Sequence, residues 1–191
     1  PASGPILGIS LPWETKRMPL IKTALKQGLI YHNAISDLIW LLARYGDVGP
    51  PRGDSLILAF LLGYGSLGLK VLAPQVCGVK PGWGIGANPG VRPHTLAGWS
   101  KLLTYNAQDA AYTLLLHEGL EAQMYRERPK VEALYRRLLL PATYYLAKGG
   151  LCGLPIDLPA LQALEQRVGH TLAARKADLE KILGVPMRSK I

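Results

Sequence analysis

Two short stretches carry residues whose types and spacing suit catalysis. The first is Tyr31-His32-Asn33-Ala34-Ile35-Ser36-Asp37, where a short apolar run gives way to a helical pattern. A carboxylate placed there, at a strand end and near a helix N-terminus, is well positioned to hold a cation or meet a phosphate. The same residues also suit a plainer arrangement, in which Asn33 caps the helix and Asp37 is a solvated acid of its first turn. The second stretch is Tyr105-Asn106-Ala107-Gln108-Asp109, running into Ala110–Leu116. Tyr105 and Asp109 are four apart and share one helix face. A phenol beside a metal-binding carboxylate can orient a water molecule or help to deprotonate it. An ordinary helix with a packed Tyr and a surface Asp has the same spacing.

Other chemistry-bearing residues form weaker patterns. Gly82-Trp83-Gly84-Ile85-Gly86 lacks a correctly placed third glycine and does not follow a strand, so it is no dinucleotide fingerprint. His94, His117 and His170 are too scattered for a metal cluster. Of the four tryptophans, Trp40 falls within a helical pattern and is expected in the core. Trp83, beside Lys80 in a Gly/Pro loop, is the best candidate to stack a base. Cys77 and Cys152 form neither a C-x-x-C pair nor a disulfide framework, which makes a reducing compartment the default.

The elements that must position these residues can be read from periodicity. Ile6–Leu11, stopped by Pro12, suits a buried strand, and Leu29-Ile30-Tyr31 a second. Residues 20–27 predict a short helix closed by Gly28. Ile35, Leu38, Ile39 and Leu42 recur at helical spacing between Ala34 and Tyr45, and Gly46 ends the run. Further helices are expected at about 54–62, 106–125 and 129–147. From Gly78 to His94, 8 of 17 residues are Gly or Pro, which marks a long irregular loop. Strands alternating with helices predict an α/β core over the first 125 residues. Beyond it, Asp157 caps a helix striped by Leu158, Leu161, Leu164, Val168 and Leu172.

The 191 residues are 49% hydrophobic and 18% charged, enough apolar material for a real core and too much for a disordered chain. The net charge of +9 favours a polyanionic partner, nucleic acid above all. No apolar run is long enough for a membrane span and no secretory leader opens the chain, so a cytoplasmic protein is expected. The chain opens at Pro1, and translation is expected to start upstream of it.

Taken together, H-N-x-x-x-D (His32, Asn33, Asp37) and Y-x-x-x-D (Tyr105, Asp109) resemble the second and third signatures of the tyrosine-bearing DEDD 3′-5′ exonucleases. Between them, Asp54-Ser55…Ala59…Leu62 and Ser66-Leu67-Gly68-Leu69-Lys70-Val71-Leu72-Ala73 resemble the D-[ST]-x-x-x-A-x-x-L and S-L-x-L-x-x-L-A stretch of the same family. The tail, Leu138–Thr143, Leu146-Ala147 and Gly150–Asp157 followed by a long helix, is similar to the passage from exonuclease domain to thumb in family A DNA polymerases.

The resemblance implies an RNase H-like fold, a mixed sheet flanked by helices, over residues 1–125, and a helical connection with the start of a thumb over 126–191. It implies proofreading: hydrolysis of 3′-terminal nucleotides of DNA during replication, with two Mg2+ or Mn2+ ions among four carboxylates. Carried over, Asp37 and Asp109 are metal ligands and Tyr105 orients the nucleophilic water. His32 and Asn33 are substrate-binding. The implied partners are a single-stranded 3′ end and the primer-template duplex, in a bacterial or phage-infected cell or an organelle. The first signature, D-x-E on an opening strand, has no counterpart: no acid precedes Glu14, and the one D-x-E is Asp178-Leu179-Glu180 near the C-terminus. The chain is therefore expected to be a piece, with the first strand, palm and fingers supplied by the remaining polymerase polypeptide. The competing readings are a DNA-binding scaffold with an inactive exonuclease site and an RNase D-like exoribonuclease.

Overall fold

The computed structural model describes residues 18–84 and 93–186 of the chain. The element order is α1 (Met18–Lys26), β1 (Ile30–Tyr31), α2 (Ala34–Tyr45), β2 (Gly53–Asp54), α3 (Ser55–Leu62), α4 (Leu69–Cys77) and α5 (Leu96–Glu127). A 3-10 turn at Pro129–Val131 leads through α6 (Glu132–Leu134) and a π-helical turn at Tyr135–Leu139 into α7 (Leu140–Cys152). The last element is α8 (Leu158–Leu183).

The expected mixed sheet is not what forms. The described residues hold a single two-stranded parallel sheet of two residues per strand, pairing Ile30 with Gly53 and Tyr31 with Asp54. Over the described residues this is a helical protein and not an RNase H-like fold. Local geometry explains why the strands are so short. Gly28 (φ 74°) and Asn33 (φ 72°) turn the backbone out of extended conformation on either side of β1. Ahead of β2 stand Pro50 and Pro51, which have no amide to extend the ladder. The predicted strand at Ile6–Leu11 and the acid Glu14 lie outside the described residues.

The chain divides into two compact units, Pro1–Cys152 and Gly153–Ile191. In the first, Leu58, Leu72, Leu116, Leu120, Met124 and Tyr135 form one buried cluster between α3, α4 and α5. Truncating one of these leucines to Ala is worth about 2–5 kcal/mol. A second cluster joins Tyr31, Ala34, Leu38 and Leu42 to Tyr144 and Ala147 of α7, so residues beyond 125 pack into the same unit. Pro141, lacking an amide, follows the π-helical turn, where a break in the helical ladder is cheapest. Trp40 falls on the opposite face of α2 from Leu38 and Leu42 and is 78% exposed, not in the core. In the second unit, Asp157 caps α8 by accepting the Ala160 amide at 3.0 Å, and Gly184 closes it in left-handed conformation.

Candidate active site

The turn from β1 into α2 is held by an acid from another element. Asp54, buried at the end of β2, accepts the amides of Asn33 (3.1 Å) and Ala34 (2.7 Å) at the start of α2. The same carboxylate accepts the Leu56 amide (2.9 Å) and so caps α3. One carboxylate thus satisfies orphan donors of two helices. Asp54 is itself fixed through its amide, which donates to Tyr135 Oη at 2.8 Å. Tyr135 Oη lies 3.3 Å from Nε2 of the buried His117. Gly53 must be glycine here, because a Cβ would fall 2.2 Å from that Nε2.

Asn33 is the one non-glycine residue with positive φ among the described residues. Its side chain does not cap α2; Nδ2 donates to Ser36 Oγ at 2.9 Å. The structure places Asn33 in the turn and outside the cleft lining, so of the two residues expected to bind substrate only His32 reaches the cleft.

That cleft, of about 670 Å3, is lined by His32, Asp37, Lys70, Tyr105, Asp109 and Thr113 among others. Asp37 comes from the first turn of α2, and Tyr105 and Asp109 from one face of α5. Partial desolvation, and then the negative charge of Asp54, hold the Asp37 carboxyl above its ordinary range. Burial, followed by the hydrogen bond to Asp109 and its charge, raises Tyr105 above the ordinary phenol value. Its hydroxyl therefore stays protonated at neutral pH, which suits orienting a water and not deprotonating one. His32 Nδ1 lies 2.9 Å from Ser55 Oγ, which also donates to the Tyr31 carbonyl at 3.1 Å. Burial lowers the His32 pKa despite Asp54, the Leu67 backbone and Asp109, all of which act to raise it. The ring is neutral at pH 7.

Two contributors were not singled out from the sequence for this site. Lys70 Nζ sits 4.2 Å from the Tyr105 ring centroid and 3.4 Å from the Trp83 carbonyl oxygen, bringing a positive charge to the cleft. Its only signal was a basic residue at a variable position of Ser66–Ala73. Trp83, expected to stack a base, is 8% exposed, and its Nε1 donates to Asp109 Oδ1 at 2.6 Å.

The carboxylates of Asp37 and Asp109 and the hydroxyls of Tyr105 and Thr113 give the cleft oxygen donors that suit a hard cation such as Mg2+ or Mn2+. Two carboxylates and several waters satisfy one such ion. Among the described residues, no group of three or more His, Cys, Asp or Glu is arranged to hold a metal. No described helix is long and apolar enough to cross a membrane. No protein-family model, curated protein or solved structure matches the chain.

Proposed function

We propose that this cleft is part of a cation-dependent 3′-5′ exonuclease acting on DNA, carried by a family A DNA polymerase. The observation that supports it is convergence: Asp37, Tyr105 and Asp109, from two motifs distant in sequence, line one cleft. The reading rests on that constellation and not on the fold. Asp37 and Asp109 hold the divalent cation. When bound, such an ion activates water and neutralises charge on the phosphate. Tyr105 Oη, its proton directed to Asp109, accepts a hydrogen bond from the attacking water and so orients it. Lys70 meets the phosphodiester, and neutral His32 borders the terminal nucleotide. In the reaction, water adds to phosphorus and the bond from phosphorus to the 3′ oxygen breaks, releasing a deoxynucleoside monophosphate and leaving a 3′-hydroxyl.

A two-ion site needs more ligands than these two carboxylates. The remaining polymerase polypeptide supplies the D-x-E pair, together with the palm and fingers that meet the primer-template duplex. Such an enzyme works where DNA is replicated, in a bacterial or phage-infected cytoplasm or in an organelle.

Fluorescence anisotropy of the 191-residue chain with labelled oligonucleotides in Ca2+ tests the reading. Single-stranded DNA with a free 3′-hydroxyl is expected to bind more tightly than the same strand circularised or made of RNA, and Asp109→Asn to weaken it. Equal affinity for circular DNA, or a preference for RNA, would count against it.

A further inference from the structure

We infer that Trp83 is a positioning residue for Asp109: its indole N–H fixes the carboxylate in the orientation that receives a divalent cation. The inference rests on the reading above, in which Asp109 is a cation ligand.

The contact is built rather than incidental. Trp83 is buried, its ring packs edge-on against Tyr112 with centroids 4.7 Å apart, and its carbonyl accepts Lys70 Nζ. Gly82 (φ 85°) and Gly84 (φ 80°) place left-handed backbone on both sides of it. Gly84 lies so close to Tyr105 that a Cβ would fall 2.3 Å from Cδ2 of that ring. The backbone is therefore pressed onto the same helix face that carries Asp109.

The chemistry of the donor matters as much as its place. An indole N–H donates only, and it carries no charge. It takes one of about four acceptor positions on the carboxylate, which leaves room for a metal bond. A lysine or arginine in its place would add a positive charge against the incoming ion. Hydrogen bonds of this kind to ligating groups typically carry 10–100-fold in metal affinity.

The test is Mn2+ titrated into the full chain, followed by calorimetry and tryptophan emission. In the wild type, quenching of indole emission is expected to track binding. Trp83→Phe is expected to weaken Mn2+ binding 10–100-fold and to remove that quenching. Because Phe also changes packing, β-(3-benzothienyl)alanine at position 83 serves as the second variant. It keeps the bicyclic ring, replaces N–H with sulfur, and is expected to weaken binding as much. Wild-type or tighter Mn2+ affinity in both variants would overturn the inference while leaving Asp109 a ligand, provided Asp109→Asn still weakens binding. No Mn2+ binding by the wild type, or equal binding by Asp109→Asn, would overturn the inference and the exonuclease reading together.

Discussion

The Asp54 carboxylate receives the Ala34 amide at 2.7 Å across the gap between two helix starts, and this bond fixes where α2 begins. Asp37 lies one turn further along that helix, so its place in the cleft depends on an acid that does not line the cleft.

Removing Asp54 should therefore cost more than one hydrogen bond. Asp54→Ala leaves the amides of Asn33, Ala34 and Leu56 without their acceptor, that of Ala34 buried and the other two partly so. A loss of about 3 kcal/mol or more is expected. Urea denaturation should show a lower midpoint with an unchanged slope. An unchanged midpoint would show that these amides find other partners.

Asn33 pays for its left-handed conformation, and substitutions should reveal it. Asn33→Gly is expected to stay within about 0.5 kcal/mol of the wild type, since glycine adopts positive φ freely. Asn33→Val should destabilise by about 1–2 kcal/mol. Thermal melts of the pair separate backbone strain from the exposed bond to Ser36.

Two histidines should make the fold acid-sensitive in a defined window. Burial lowers the pKa of His117, against the opposing pull of Glu121, Asp54 and Glu118 and with that of Arg136. Burial lowers His32 as well. A group with a depressed histidine pKa binds its proton more readily when unfolded, so stability is full above the unfolded value of 6.5 and falls as pH drops through it. Denaturation midpoints between pH 7.5 and 5 should decline accordingly. His117→Gln should make that decline shallower, and an identical slope in the variant would contradict the assignment.

Lys70 offers a charge test of the cleft. If its ammonium meets a phosphate, Lys70→Ala should weaken single-stranded DNA binding and reduce the salt slope by about 0.7. An unaltered slope would place the DNA elsewhere on this chain of net charge +9.

How much of this could be read from the sequence depends on the range of the interactions. Helix α2 was legible to the residue, because Ile35, Leu38, Ile39 and Leu42 mark its face and Gly46 its end. Helix α5 was expected from residue 106 and begins at Leu96. Gly98 masks a start that Thr95 fixes by accepting the Gly98 amide. Its Tyr105–Asp109 spacing was nonetheless read correctly as one face. The expectation of a larger sheet follows from alternating strand and helix patterns as well as from the resemblance, and both mislead because the positive φ values at Gly28 and Asn33 that confine β1 leave no periodic trace. Asp54 was visible only as part of a pattern, since its partners are backbone amides that any residue supplies. Trp83 differs from its expected role because its bond to Asp109 depends on the path of a Gly-rich loop, and Trp40 because its apolar ring outweighs, in a reading by residue type, its place opposite the face that Leu38 and Leu42 mark.

The most direct measurement of the central claim is removal of a mismatched 3′ nucleotide from a labelled primer in Mg2+, by the polymerase that carries this chain. Polymerisation is followed alongside as the control for folding. Asp37→Ala and Asp109→Ala are expected to abolish excision, and Tyr105→Phe to slow it by a factor on the order of 10 to 10³. Asp47→Ala and Asp178→Ala, which lie outside the cleft, should excise normally. Wild-type excision by the Asp37→Ala and Asp109→Ala proteins would contradict the account.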